Sequence, residues 1–359
     1  MIETKGWVME IKRKQDILVY GAGNFFQSNK NTVEQQYNII AIIDKNKQGT
    51  LEKWKIIKPD EHKEMFYEKI VIMVENINDC FLIVSDLLDC GVESEKIALG
   101  NCLYGCFKYD EIKVLSNGRL CVYKEKIKVS VGSTDEFNNV CEVFLNQIYN
   151  YFLNNKKKDI VIDVGMNIGD ATLYFLDLKN VEKVYGYEPF NDTFLHAKEN
   201  LKKYLNSDRM DIFQYGISNE NASRTIGFNS NMTCGQSSIE SVREKQFQSY
   251  LSWGLAKASG EKMEEINVKK ASEVFGPIIA KYPNHNIILK MDCEGEEYGI
   301  IEELSQANLL DKFAFIMLEW HYQGKESLLR DLEKADFSWW GNDKDGNMGL
   351  IYAYKMFSL

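Results

Sequence analysis

Histidine is scarce in this chain: four occur in 359 residues, and none stands near Cys102 and Cys106, the one close pair among eight cysteines. Without histidine partners, and with three residues between them, these thiols match neither a zinc site nor a small disulfide framework. Free thiols in a reducing compartment are expected instead. Long apolar runs are missing too. The longest, NIIAIID and KFAFIMLEW, fall far below the roughly 20 residues a membrane span requires. The amino-terminal stretch carries no signal-peptide pattern, so no membrane span and a cytoplasmic location are expected. Nor is there a concentrated basic face. The net charge is −10 and the densest basic cluster, NNKKKD at 154–159, reads as a solvated linker, which argues against nucleic acid as the main partner. No fixed-period repeat or low-complexity tract interrupts the chain, and a globular protein is expected.

With 45% hydrophobic residues the chain can bury ample core, and its length suggests two domains at roughly 150 residues each. Residues 1–102 read as strand DILVYGAG, a helical stretch, strand YNIIAIID, WKIIKP, strand KIVIMV, helix NDCFLIVSDLLDCG and KIALG. Strands alternating with helices predict βαβ units on a parallel sheet, here a small Rossmann-like domain. Residues 103–157 change to short β-prone pieces around SNGR and an amphipathic helix from about Asp135 to Leu153, a connector. From 158 to 359 the alternation restarts, with strands DIVIDVG, KVYGYEP, MDIFQYGIS, NIILKMD and FAFIMLEWH. In the tail FSWWGNDKDGNMGLIYAYK the DKDGN turn joins two aromatic strands without a helix, which predicts an antiparallel hairpin. The expected class is therefore α/β: a doubly wound sheet with an antiparallel C-terminal hairpin, the outline of the class I methyltransferase fold, preceded by the smaller Rossmann-like domain. Residues 230–262 stand outside the alternation. They read as a polar loop and an amphipathic helix at the ligand edge of the sheet, where lids and specificity loops occur.

The stretch DIVIDVGMNIGDATLYF, residues 159–175, runs from a strand through two glycines into a helix. Such a turn leaves the helix's first N–H groups pointing outward, with the positive end of its dipole behind them. A dinucleotide turn would read G-x-G-x-x-G. Here Gly165 and Gly169 are four apart, Asn167 stands where a middle glycine would be, and Asp163 precedes the turn on the strand. A carboxylate so placed repels a pyrophosphate and suits a ligand with an ammonium and a sulfonium, which points to S-adenosyl-L-methionine. In the first domain, VYGAGNFFQ puts Phe26 in the third glycine's place, which weakens a dinucleotide reading. Asp44 ends the second strand and could still meet a ribose, so a nucleotide site and a purely structural module both stay open there.

The pieces VIDVGMNIGDAT, VYGYEPF, Ser237 and Ser238, LKMDCEGEEYGII and MLEWH, in this order over 158–321, resemble the FkbM-type S-adenosylmethionine-dependent methyltransferases. Met166 and Cys293 stand where that family usually has a small residue and a valine. The resemblance implies methyl transfer to a hydroxyl of a sugar or polysaccharide precursor, with a small-molecule or glycan acceptor as partner. Glu188, 23 residues after Gly165 at the end of the second strand, is placed to accept hydrogen bonds from ribose hydroxyls. Gly216, Ile217 and Ser218 lie where such folds pass the adenine. The expected cofactor set is thus Asp163, Gly165, Asn167, Gly169, Glu188, Gly216 and Ile217.

A hydroxyl acceptor must lose its proton. His321 is the histidine at a strand's carboxyl end, and with a strand period of two it shares a face with Glu319. Asp292 and Glu294 occupy the neighbouring rim. These four are predicted to orient the acceptor and take its proton; if His321 is the base, turnover should rise with pH through a value near its reference of about 6.5. Asp292 and Glu319 could hold a magnesium ion, but the favoured reading needs no metal. Glu296 and Glu297 read as helix-start residues that complement the dipole. Two other functions compete: an NAD-dependent oxidoreductase built on GAGNFF, for which no acid–base residue can be named, and a non-catalytic nucleotide-binding module.

Overall fold

A computed structural model describes residues 13–100, 111–124, 126–153, 155–229, 237–239, 242–245, 261–344 and 346–355. Cys102, Cys106 and most of 230–260 lie outside them. The chain divides into two compact units, Met1–Thr134 and Asp135–Leu359. The division falls inside the segment 103–157, leaving its strands with the first unit and nearly all of its helix with the second.

In the first unit, strands β1 (Gln15–Tyr20), β2 (Tyr37–Ile43), β3 (Gly49–Leu51), β4 (Trp54–Ile57), β5 (Lys69–Ile72) and β6 (Ile97–Leu99) form one sheet in the order β3-β4-β2-β1-β5-β6. Every pair in it is parallel except the β3–β4 hairpin. Helices α1 (Asn24–Gln36) and α2 (Ile77–Asp89) connect its strands. The turn after β1 needs its first glycine: Gly21 has φ +112°, and a Cβ there would lie 2.9 Å from the Met73 carbonyl oxygen. The space that a third glycine would leave open is filled by Phe26, fully buried and edge-to-face with Trp54 at 5.8 Å. The Asp44 carboxylate accepts hydrogen bonds from the Ala22, Asn46 and Lys47 N–H groups at 2.8–2.9 Å. It is a staple across two loops. Strands β7 (Ile112–Val114), β8 (Leu120–Lys124) and β9 (Ile127–Val131) make a separate antiparallel sheet.

The second unit opens with helix α3 (Thr134–Phe144) and continues through β10 (Asp159–Val164), α4 (Asp170–Asp177), β11 (Val181–Tyr187), α5 (Asn191–Asn200), β12 (Met210–Phe213), β13 (Gly216–Ser218), β14 (Ala222–Asn229) and β15 (Glu261–Lys270). It closes with α6 (Ala271–Lys281), β16 (Asn286–Met291), α7 (Glu297–Gln306), β17 (Phe315–His321), α8 (Glu326–Lys334), β18 (Ser338–Asp343) and β19 (Met348–Tyr354). Its main sheet has the order β12-β11-β10-β16-β17-β19-β18. The first five strands are parallel, and β19 runs antiparallel between β17 and β18. This is the class I methyltransferase order. Strands β10, β16 and β17 are buried at every position, as expected of parallel strands covered on both faces. The strand order reverses between β10 and β16, and the crevice at the carboxyl ends of such strands is where open α/β sheets bind ligands.

Two expected elements differ. MDIFQYGIS is not one strand, because β12 stays in the main sheet while β13 joins β15 and β14 in a three-stranded sheet. The helix expected to reach Leu153 ends at Phe144, and Gln147 soon afterwards has a left-handed φ of 51°, which a continuing helix cannot absorb.

Candidate active site

The carboxyl ends of β10, β11, β16 and β17 open on a cavity of about 430 Å³, within the usual range for small-molecule sites. Gly165, Asn167, Glu188, Gly216, Ile217, Asp292, Glu294, Glu319 and His321 all line it. Of the expected site residues, Asp163 and Gly169 do not.

Asp163 is fully buried and faces inward. It accepts from the Thr172 hydroxyl at 2.6 Å, and the ammonium of Lys290 lies 3.0 Å from its other oxygen. Its role is correspondingly different from the ammonium contact expected of it: it holds the turn. Lys290, on β16, donates to the Gly165 carbonyl at 2.7 Å and stands 5.4 Å from the Tyr149 ring centroid. Burial pulls the Lys290 pKa down, but Asp163 and Asp292 pull it up further, so it stays charged. The sequence reading passed over Lys290. A lysine within an otherwise apolar parallel strand, paired in register with Asp163 on β10, was the available signal.

Both turn glycines answer to packing. A Cβ on Gly165, at φ +71°, would fall 1.8 Å from the Asp292 carbonyl oxygen, and one on Gly169, at φ +83°, would fall 2.9 Å from Leu201. Asn167 is also left-handed, at φ 50°, and its N–H donates to Glu188 at 3.0 Å. The other Glu188 oxygen accepts from the Phe190 N–H at 3.1 Å. A carboxylate has about four acceptor sites, and two backbone donors leave capacity for two hydroxyls. Burial pushes the Glu188 pKa up to about 7, against the pull of those donors. A buried carboxylate with spare acceptor capacity at the cavity wall fits the ribose diol of S-adenosyl-L-methionine. Asp170, at the start of α4, is likewise pushed up to about 7 by burial.

The second cluster lies on the next two strand ends. His321 Nε2 stands 3.5 Å from Glu294 and 3.8 Å from Asp292, while its Nδ1 lies 3.1 Å from Glu297. Glu297 also accepts from the His321 and Gly295 N–H groups, both at 2.8 Å. Glu297 does open α7, as its sequence position predicts, but it is also fully buried and bonded to the histidine. Burial opposes a charged imidazole, but Glu294, Glu297 and Asp292 outweigh it, and the His321 pKa is raised well above 6.5. A limb near 6.5 from His321 is therefore not what its surroundings favour, because the three carboxylates favour its protonated form. Burial, opposed by His321 and assisted by Asp292 and Glu319, pushes Glu294 up to about 7. Glu319 accepts from Lys344 at 3.0 Å. Asp292, Glu294 and His321 each bring a ligand atom within 4.8 Å of the others, a set that could also hold a divalent cation.

Glu294 is a non-glycine residue at φ 53°, a conformation that persists only where its surroundings enforce it. The Ser237 hydroxyl donates to its carbonyl at 2.6 Å. Glu296, read as another helix-start acid, pairs with Arg224 and accepts from the hydroxyls of Ser218, at 2.7 Å, and Ser238. Ser237 and Ser238 thus act by fastening the loop that carries Glu294. Ser218 faces that network.

Residues 163–337 match the family model described as the methyltransferase FkbM domain, and residues 13–98 match one described as C2185-like, N-terminal. The curated protein Methyltransferase 1 of Beauveria bassiana (strain ARSEF 2860) is 26% identical over 167 residues, 45% of this chain and 65% of its own length. The match therefore spans just under two thirds of that relative. Among solved structures, methyltransferase FkbM from Methylobacillus flagellatus KT aligns over 95% of this chain and 90% of its own, at 13% identity and a TM-score of 0.35. A Streptococcus pneumoniae protein in complex with S-adenosyl-L-methionine aligns over 62% and 74%, at 9% identity and a TM-score of 0.33. The fold assignment rests on the strand order. Among the described residues no helix is long and apolar enough to cross a membrane. With a class I sheet order already in place, residues 163–337 are matched by the FkbM methyltransferase domain model, and that part of the chain is an FkbM-type methyltransferase domain.

Proposed function

We propose that the second unit methylates a hydroxyl of a sugar or polysaccharide precursor with S-adenosyl-L-methionine as donor. One observation carries the reading. A single cavity joins a ribose-type carboxylate, Glu188, to a carboxylate poised near neutrality, Glu294. When bound, the cofactor supplies an electrophilic methyl group on a sulfonium. Glu188 would accept the ribose hydroxyls, the Gly165–Gly169 turn would flank the methionine portion, and Gly216 and Ile217 would flank the adenine. Glu294 would receive the acceptor's proton, while protonated His321 holds Glu294 and Asp292 in place. In the first unit, Asp44 is already engaged by three backbone donors, which weakens the competing dinucleotide reading.

Two outcomes test this. Alanine at Glu188 removes the acceptor of the ribose hydroxyls, and hydrogen bonds to a charged group contribute about 1.5–3 kcal/mol. Calorimetry should show adenosylhomocysteine binding weakened at least about tenfold, with the unfolding transition retained; unchanged affinity removes Glu188 from the site. The wild-type protein should also bind this ligand more tightly at pH 8 than at pH 6. The hydroxyls favour ionised Glu188, whose carboxyl is largely protonated below about 7, so binding releases a proton. A flat profile sinks that assignment.

Metal dependence is decided separately. If Glu294 takes the proton unaided, chelator leaves turnover unchanged. Loss of turnover on chelation and recovery with magnesium would assign activation to a cation on Asp292, Glu294 and His321 instead.

A further inference from the structure

We propose that the half of the cavity beyond Asp292 is the acceptor site, and that it takes a polyhydroxylated acceptor, neutral or amino-bearing, with no phosphate beside the reacting hydroxyl. This deepens the transferase reading above and rests on it. Gly165 and Glu188 follow β10 and β11, whereas Glu319 lies on β17 and Met348 opens β19, and all four line the one cavity. Between β11 and β19 there are four strand spacings, about 19 Å at about 4.8 Å each. The cofactor turn and Glu188 occupy one side of that span.

The other side has a wall of its own. Asp135, Asn138, Asn139 and Glu142 of α3 recur at i, i+3, i+4 and i+7, one face of a helix, and all four line the cavity. The opposite face, with Phe137, Val140 and Phe144, is buried. A helix placed ahead of the catalytic fold thus turns its polar face into the site. Carboxamides both donate and accept, which suits neighbouring hydroxyls on a sugar ring.

Charge narrows the class of acceptor. The three cationic side chains that line the cavity are already engaged: Lys344 donates to Glu319 at 3.0 Å and lies 3.4 Å from Glu142, Lys290 serves Asp163 and the Gly165 carbonyl, and His321 faces Asp292, Glu294 and Glu297. A phosphate here would meet Glu142, Glu319 and Asp292 with these cations already shared by carboxylates, and like charges in a partly buried site repel strongly. A neutral hydroxyl group meets no such penalty. An ammonium gains.

The test uses the full chain saturated with adenosylhomocysteine, whose binding is first measured by calorimetry. Methyl glucoside, glucosamine, glucose 1-phosphate and uridine diphosphate glucose are then compared by saturation-transfer NMR. The first two should give signal and the two phosphorylated probes little or none. Replacing Asn138 and Asn139 together by alanine should weaken the sugar signal about fivefold or more, with adenosylhomocysteine affinity within about twofold of wild type. Binding of the phosphorylated probes as well as or better than the others overturns the inference, as does a sugar signal indifferent to both substitutions. A site that takes none of the four is not a polyol site, and the inference falls. Failure of adenosylhomocysteine to bind at the outset would instead remove the transferase reading.

Discussion

Glutamine in place of Glu294 should lower methyl transfer by about 10²–10⁴-fold, the range general-base catalysis contributes, and should abolish the rise of turnover with pH. The rise itself is expected around neutrality. Burial and the neighbouring carboxylates push Glu294 up to about 7, the base form exists above that value, and turnover under saturating cofactor should climb as pH passes from about 6 to 8. Substitution of His321 should behave differently. Its positive charge lowers the Glu294 pKa, so asparagine at 321 should move the limb to higher pH and leave it in place. If the His321 variant loses the limb and the Glu294 variant keeps it, the histidine is the base after all and the charge assignment made here is wrong. The comparison is informative because both side chains end on the same cavity, and substitution at either perturbs the packing of that rim.

The sequence carried the fold because its signals were local and periodic. NIILKMD and FAFIMLEWH are near-continuous apolar runs, as buried parallel strands require, and the DKDGN turn between aromatic segments declared the antiparallel hairpin. Glu188 and the strand-end acids were legible for the same reason, since each ends a recognisable strand. What was not legible depends on three-dimensional neighbours. Asp163 looked like a ligand residue because its pairing with Lys290, 127 residues later, is a matter of strand register, and the lone lysine in the apolar run NIILKMD hints at a buried partner without naming it. Glu297 looked like a dipole partner because its helix position is local, whereas its contact with His321 is made across strands. The His321 pKa followed from a reference value until three carboxylates were found around it. Helix α3 gave its amphipathic pattern in advance, but no pattern says what its polar face will meet.

The largest effect on stability should come from Lys290. Methionine at this position keeps most of the side chain's length and removes its charge, leaving Asp163 fully buried without the ammonium 3.0 Å away. Breaking a buried ion pair from one side costs about 3–5 kcal/mol, because the remaining charge is uncompensated. The Gly165 carbonyl loses its donor as well, at the point where the turn has no room for any side chain. Denaturant unfolding of the full chain should therefore show the second unit's transition displaced to much lower denaturant while the first unit's is unchanged. The double variant Asp163→Asn, Lys290→Met separates the causes. Replacing both charges removes the uncompensated group, so stability should recover by about half or more. The cofactor turn has still lost the donor to Gly165, so adenosylhomocysteine binding should remain weakened in the double variant even where stability returns. A Lys290→Met protein that loses less than about 1 kcal/mol, the scale of an exposed pair, would mean that Asp163 is stabilised by Thr172 and its surroundings alone. In that case the lysine at the floor of the cavity would have to be explained by what binds there and not by what it holds.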